Sequence, residues 1–511
     1  MSGEPIAGSG RAVRALQKLR AAYHRAELIN SCSLLAEFDR VTTMPPGGGA
    51  HRIEQVALLT SLRHECLADP QIADWLDVVE QSPHASDPRV AATLRVVRAE
   101  YESVARVPVS LATALQQASA KAIEAWRTAR EDEDYETYSP FLNAVVALKQ
   151  EEADILRDGR ADTMSRHDVF FSYNDPGITT HEYQQALRIL YRDLQPLIDR
   201  LSPTDSPVPP CLRGRPFASS RLESLAAKFA EQIGLDRAWG RFTPGFAPAS
   251  VHVGRHDTRL TTRCDDDDLF MVMLSTAHEI GHARYHHGLD RFPFGDPVME
   301  PASMSVNEAH ARLWEGIICK TPQFWAFAYP FVQEHFRDVL SDVSCDEFVA
   351  NTRHAVRSGS RARTDELSYC LLMGIRSDIE IALLDGTLTA DGLVDEFNDK
   401  QRAIFGHNPS LLRGVLSDPH WAANWYGRYP SYVLGSIYAA QMWMAIERDS
   451  PDVREGLRYG RFEPIDAWLW KHIQQYGRLL LPNDLMTRAT GRPLDPDCWI
   501  ALMQEQHGAN L

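Results

Sequence analysis

The chain has 511 residues, 44% hydrophobic and 24% charged, ordinary proportions for a folded protein long enough to bury a large core. Its formal net charge of −16 disfavours a nucleic-acid backbone as partner, because a polyanion is repelled unless a basic patch overrides the field, and no Lys/Arg run supplies one. No run of about 18 apolar residues marks a membrane span, and the first residues lack the apolar core of a secretory signal. The eight cysteines are scattered without a Cys-x-x-Cys pair, which reads as reduced thiols and a cytoplasmic location.

In chain order the periodicity is helical. "RAVRALQKLRAAYHRAELINSCSLLAEFDR" repeats apolar residues at three- and four-residue steps, and "MPPGGG", Met44 to Gly49, reads as a loop because prolines and glycines end a helix. "HEYQQALRILYRDLQPLIDRL", "LESLAAKFAEQIGL" and "ELSYCLLMGIRSDIEIALLDG" are further helices. "SPTDSPVPP", Ser202 to Pro210, is the one Pro/Ser-rich stretch and reads as a surface loop or subdomain seam within a single domain spanning 1–511. The best strand candidate is "SVHVGRHDTRLTTR", Ser250 to Arg263, with β-branched residues in partial alternation. The expectation is a mainly α protein with a small β element near its centre.

Directly after that strand comes "LSTAHEIGHARYHHGL", with His278, Glu279, His282, His286 and His287. The helix should start near the acidic run Asp265–Asp268, which suits the positive end of its dipole, and stop at Gly288. His278 and His282 are four apart, so both imidazoles leave one face and can meet one Zn²⁺ at about 2.1 Å each. Glu279, on the adjacent rim, is placed to take a proton from metal-activated water, the arrangement of His-Glu-x-x-His zinc hydrolases. His286 lies about 12 Å along the axis from His278, too far to share the ion. Tyr285 and Gly288 stand where a metzincin needs glycine and histidine, which excludes that class. The third ligand must come from another element. In "SMSVNEAHARLWEGIICK" Glu308, 26 residues past His282, is the first choice and His310 the second. The two point about 200° apart on a helix and cannot both face the metal.

Several ordered blocks resemble the carboxypeptidase Taq family of metallocarboxypeptidases. "FDRVTTMPPGGGAHRIEQVALL" is similar to its first signature, and Asp257, Arg259 and Thr261 match its Asp-x-Arg-x-Thr motif. "HEIGHARYHHGL" resembles its zinc helix, and "GVLSDPHWAANWYGRYPSYVLGSIYAAQ" its Gly-x-x-Gln-Asp-x-His-Trp block with the Pro-x-Tyr-x-Leu-Gly that follows. The resemblance implies an all-helical zincin-like fold with a deep central groove. It also implies a homodimer that removes single residues from peptide C-termini, with His278, His282 and Glu308 on the metal and Glu279 as general base. The ion would be Zn²⁺, or another divalent ion such as Co²⁺. The departures fall around these residues. The His-Glu-Ser/Thr-Gln block keeps only Glu308, "SRARTD" keeps Arg361 and Asp365, Ser417 replaces a glutamine, and Gly-Tyr-Phe-Pro becomes Gly427, Arg428, Tyr429, Pro430.

Amide hydrolysis also needs a donor for the oxyanion, for which His420, Tyr426, Tyr429 and Arg428 are candidates. A free substrate carboxylate suits an arginine fork: Arg361 first, Arg428 second, with Arg259 instead bracing the groove and His310 a further substrate-side residue. Asp257 and Thr261 read as scaffold. The leading expectation is a zinc metallocarboxypeptidase acting on a peptide or small amide with a free carboxylate. The alternatives are a dedicated small-molecule amide hydrolase of a biosynthetic pathway and a non-catalytic binding protein on the same scaffold.

Overall fold

All four helices read from apolar spacing are present in the computed structural model, which describes residues 7–201, 210–264, 268–355, 357 and 365–507. They run Ala7–Thr42, Thr180–Ile198, Ser219–Gln232 and Glu366–Asp385. Asp265–Asp267, Arg361 and, apart from Pro210, the expected seam lie outside the described residues. Among the described residues, no helix is long and apolar enough to cross a membrane. Local chemistry sets several helix starts. At Thr180–Ile198 the Thr179 side chain accepts from the Glu182 N–H while Glu182 reaches back to Thr179, satisfying two amides that the first turn leaves open.

The chain divides into two compact units, each assembled from three segments. The first combines residues 1–106, 216–302 and 460–485. Its long first helix packs Leu19 and Tyr23 against Ile72, Leu76, Val79, Leu94 and Val97. The "MPPGGG" break is shorter than expected. A single turn, Pro46–Gly48, leads straight into a helix at Gly49, since proline at the start of a helical turn loses only an amide hydrogen with no intrahelical partner. The strand candidate is a hairpin, β2 (Ala249–Gly254) antiparallel to β3 (Asp257–Thr261), with β1 (Gly240–Phe242) parallel to β3 on its other side. The reversal falls at Arg255–His256, where His256 takes a left-handed φ of 60°.

The histidine helix runs Leu269–Leu289 in the same unit. Asp268 caps it, accepting from the Met271 N–H at 3.0 Å. Gly288 does not end it. That glycine is helical, and a Cβ there would come within 2.1 Å of Gln474 Oε1, so close packing rather than capping explains the residue.

The second unit combines residues 107–215, 303–459 and 486–511. Two of its helices, Glu366–Asp385 and Tyr429–Asp449, are buried on nearly every face. The helix expected from "SMSVNEAHARLWEGIICK" is regular only over Met304–Arg312, then widens to a π turn at Leu313–Ile317 and tightens at Ile318–Lys320. Such widened turns are frequent at functional sites.

Candidate metal centre

One helical turn brings the rings of His278 and His282 nearly perpendicular, with their Nε2 atoms 3.2 Å apart. Two nitrogens about 2.1 Å from one tetrahedral ion stand roughly 3.4 Å apart. The pair is therefore already set to bind a cation, and two neutral imidazoles facing each other this way gain at most one hydrogen bond. Glu279, the next residue, is buried at 5% exposure. Two imidazoles so placed are donors that a divalent transition ion accepts, so the pair fits the metal.

Glu308 is held by its own unit. It is 4% exposed, and Arg312 Nε, one turn on, donates to its Oε1 at 3.1 Å. Gly435 of the Tyr429–Asp449 helix lies against it so closely that a Cβ there would sit 2.5 Å from Glu308 Cγ. Fully buried Asp175 locks the two helix starts together. It accepts from the Ser305 N–H at 3.1 Å and from the hydroxyls of Ser305 and Ser431. Burial pushes its carboxyl above the ordinary range, and the serine bonds offset part of that rise.

His310 turns back on its own helix, its Nδ1 2.8 Å from the Val306 carbonyl.

A second polar array surrounds His420, which is 5% exposed. Its Nδ1 is 3.2 Å from Asp418 Oδ1 and its Nε2 3.1 Å from the Tyr432 hydroxyl. The carboxylate favours a proton on Nδ1, which leaves Nε2 to accept from Tyr432. Asp418 is fixed in turn by the Tyr429 hydroxyl, which donates at 2.7 Å, and by Arg376 Nη1 at 3.2 Å. Arg376 also donates to the Gly414 carbonyl at 2.7 Å and to Ser417 Oγ at 2.6 Å. The serine in place of the family's glutamine thus still anchors this loop. Fully buried Glu380, one turn after Arg376, accepts from the Gly427 N–H at 2.7 Å and from Trp421 Nε1 at 3.1 Å. Gly427 itself needs a φ of 73° and leaves no room for a side chain against the Phe170 backbone.

The remaining candidates are scattered. Tyr426 is buried against Phe170, and among the described residues its hydroxyl makes no hydrogen bond. Burial drives the pKa of that hydroxyl far above the ordinary value. Arg428 is half-buried with its guanidinium 4.9 Å from the Trp425 ring centre, and among the described residues it makes no ion pair. Arg259 forks onto Asp257 two residues back on β3, with Nη2 3.0 Å from Oδ2. Thr261 is fully buried, as a scaffold residue should be. Asp365 caps the Glu366–Asp385 helix, accepting from the Ser368 N–H at 2.9 Å.

Tyr432, Gly435, Asp175, Arg376 and Glu380 carry this geometry without having been singled out in the sequence. Two signals pointed to them. Arg376 and Glu380 are charges on an otherwise apolar helix, and Tyr432 and Gly435 belong to the Pro-x-Tyr-x-Leu-Gly block. Asp175 gave no signal.

Comparison with known proteins agrees over nearly the whole chain. The family model described as carboxypeptidase Taq (M32) metallopeptidase matches residues 18–507. Thermostable carboxypeptidase 1 of Thermus thermophilus is 30% identical over 97% of this chain and 98% of its own. Carboxypeptidase 1 of Bacillus subtilis is 27% identical over 90% of this chain and 91% of its own. The crystal structure of the M32 carboxypeptidase from Deinococcus radiodurans superposes with a TM-score of 0.89 at 27% identity, covering 97% of this chain and 99% of that one. The chain belongs to the carboxypeptidase Taq (M32) family of metallopeptidases, and it is a metallocarboxypeptidase-type hydrolase.

Proposed function

We propose that the chain is a zinc-dependent carboxypeptidase in which His278, His282 and Glu308 hold the ion and Glu279 is the general base. The observation that supports this is the pair of imidazoles on one helix face, their Nε2 atoms 3.2 Å apart, with the buried Glu279 adjoining the first histidine. When bound, zinc acts as a Lewis acid that acidifies water and polarises a carbonyl. Glu279 then takes the proton of the attacking water on its carboxylate and delivers it to the leaving amine nitrogen, so the amide C–N bond breaks with the proton balanced.

The oxyanion donor in this reading is Tyr432, in place of the Tyr426 and Tyr429 hydroxyls. Tyr432 and Gly435 are three residues apart on one helix face, and Glu308 packs on Gly435. The Tyr432 proton, given to His420 at rest, rotates onto the carbonyl oxygen as negative charge develops there, while the Asp418–Arg376 pair keeps His420 oriented. Arg428 supports a substrate with a free carboxylate, because a half-buried guanidinium with no ion pair among the described residues retains its fork for an anion.

The test is release of the C-terminal residue from short peptides, with metal content measured in parallel. Glu279→Gln should retain the metal and lose turnover, and chelation should silence the wild type. Undiminished release by the metal-loaded variant ends this reading.

A further inference from the structure

His286 and His287 lie too far along the helix axis to join His278, yet the carboxyl end of the histidine helix gathers histidines of its own. Asp290 closes the helix, its N–H donating to the His286 carbonyl at 3.1 Å, and its side chain is 4% exposed. The β2–β3 hairpin reaches the same carboxylate. The His256 N–H donates to Asp290 Oδ2 at 2.9 Å, and Arg255 Nε donates to the Asp290 carbonyl at 2.7 Å. Around Oδ2 stand His256 Nδ1 at 3.6 Å and His287 Nδ1 at 3.7 Å, and His252 Nε2 lies 3.6 Å from Asp290 Oδ1.

These separations exceed hydrogen-bond length, so the imidazoles are not simply pairing with the carboxylate. His287 Nδ1 is buried and, among the described residues, makes no hydrogen bond. The separations are close to those between ligand atoms that share one ion, about 3.4 Å for a tetrahedral zinc site. One ligand atom each from His256, His287 and Asp290 lies within 4.8 Å of the others. The His287 ring plane is already set by stacking, with Trp239 4.2 Å away at 12°. A ligand oriented before binding loses less freedom when the ion arrives. His256 sits on an exposed turn, where its ring has room to close on an ion.

We propose that His256, His287 and Asp290 form a second transition-metal site, separate from the centre at His278 and His282. Two imidazoles and one carboxylate select zinc, cobalt or nickel over magnesium or calcium. The open coordination positions go to water, so this ion exchanges more readily than one held by buried ligands. Its bond would fasten the hairpin turn to the end of the helix that carries His278 and His282.

Zinc per chain is measured by elemental analysis after equilibrium dialysis of the loaded protein, together with the thermal midpoint as zinc is raised. Wild type should take up a second equivalent with a rising midpoint. His287→Gln and His256→Asn should stop at one equivalent with a midpoint insensitive to further zinc. Asparagine is chosen at 256 because it tolerates the left-handed backbone there, so this exposed variant keeps the test valid if His287→Gln misfolds. His282→Ala should lose the first equivalent and keep the second. A wild type that saturates at one equivalent, or folded His256→Asn that still takes two, overturns the proposal.

Discussion

Replacing Gly435 by alanine isolates the fit between Glu308 and the helix behind it. The added Cβ would lie 2.5 Å from Glu308 Cγ, 2.7 Å from its Cβ and 3.3 Å from its backbone carbon. Non-bonded carbons rest at about 3.5–4.0 Å, so the glutamate must retreat by roughly 1 Å. Alanine gains about 1 kcal/mol over glycine inside a helix, while overpacking a filled site costs about 1–3 kcal/mol. The net change in stability is therefore small, about 2 kcal/mol at most. The effect on metal is larger, because ligand distances tolerate only about 0.2 Å and disturbing a supporting residue typically weakens metal about 10- to 100-fold. Chelator competition should show metal affinity falling by about 100-fold, near the upper end of that range, with peptide turnover partly regained in excess metal. Circular dichroism should show a folded protein. A folded Gly435→Ala that binds metal as tightly as wild type would refute the packing argument and the assignment of Glu308 as ligand.

Tyr432→Phe should lower kcat by about 10²- to 10³-fold with little change in KM, the usual loss for one oxyanion donor. Tyr429→Phe, which removes the bond to Asp418, should lose about 1.5–3 kcal/mol of stability and less than about tenfold in rate, measured by chemical denaturation and peptide release. Glu300 gives a pH test. Burial raises its carboxyl to about 7 against an unfolded value of 4.5, with Arg478 opposing and Glu27 and Glu100 adding to the rise. Between those values the folded chain keeps a proton that the unfolded chain has released, so this group's contribution falls as pH rises through the window and is lost above it. Glu300→Gln should match wild type near pH 4.5 and exceed it by up to about 3 kcal/mol near pH 8, less for the part of the carboxyl that still meets water. Equal denaturation midpoints at both pH values would refute the shift.

By itself the sequence determined what depends on neighbours along the chain. Three- and four-residue apolar spacing set the helices, β-branched alternation set the hairpin, and a four-residue step put His278 and His282 on one face. Spacing also singled out Glu308 over His310 on the following helix as the carboxylate to propose, because two residues two apart on a helix cannot both face one ion. Tertiary structure alone decided whatever rests on meetings between distant segments. Arg376 reaching Asp418, Glu380 holding the Gly427 turn, Gly435 making room for Glu308, and Asp175 clasping Ser305 and Ser431 follow no local period. The same holds for the hydroxyl beside His420, which belongs to Tyr432 although Tyr429 stacks on the same ring, and for the histidines around Asp290. A helix fixes the direction in which each side chain leaves it, but only the packing of one element on another fixes what that side chain meets.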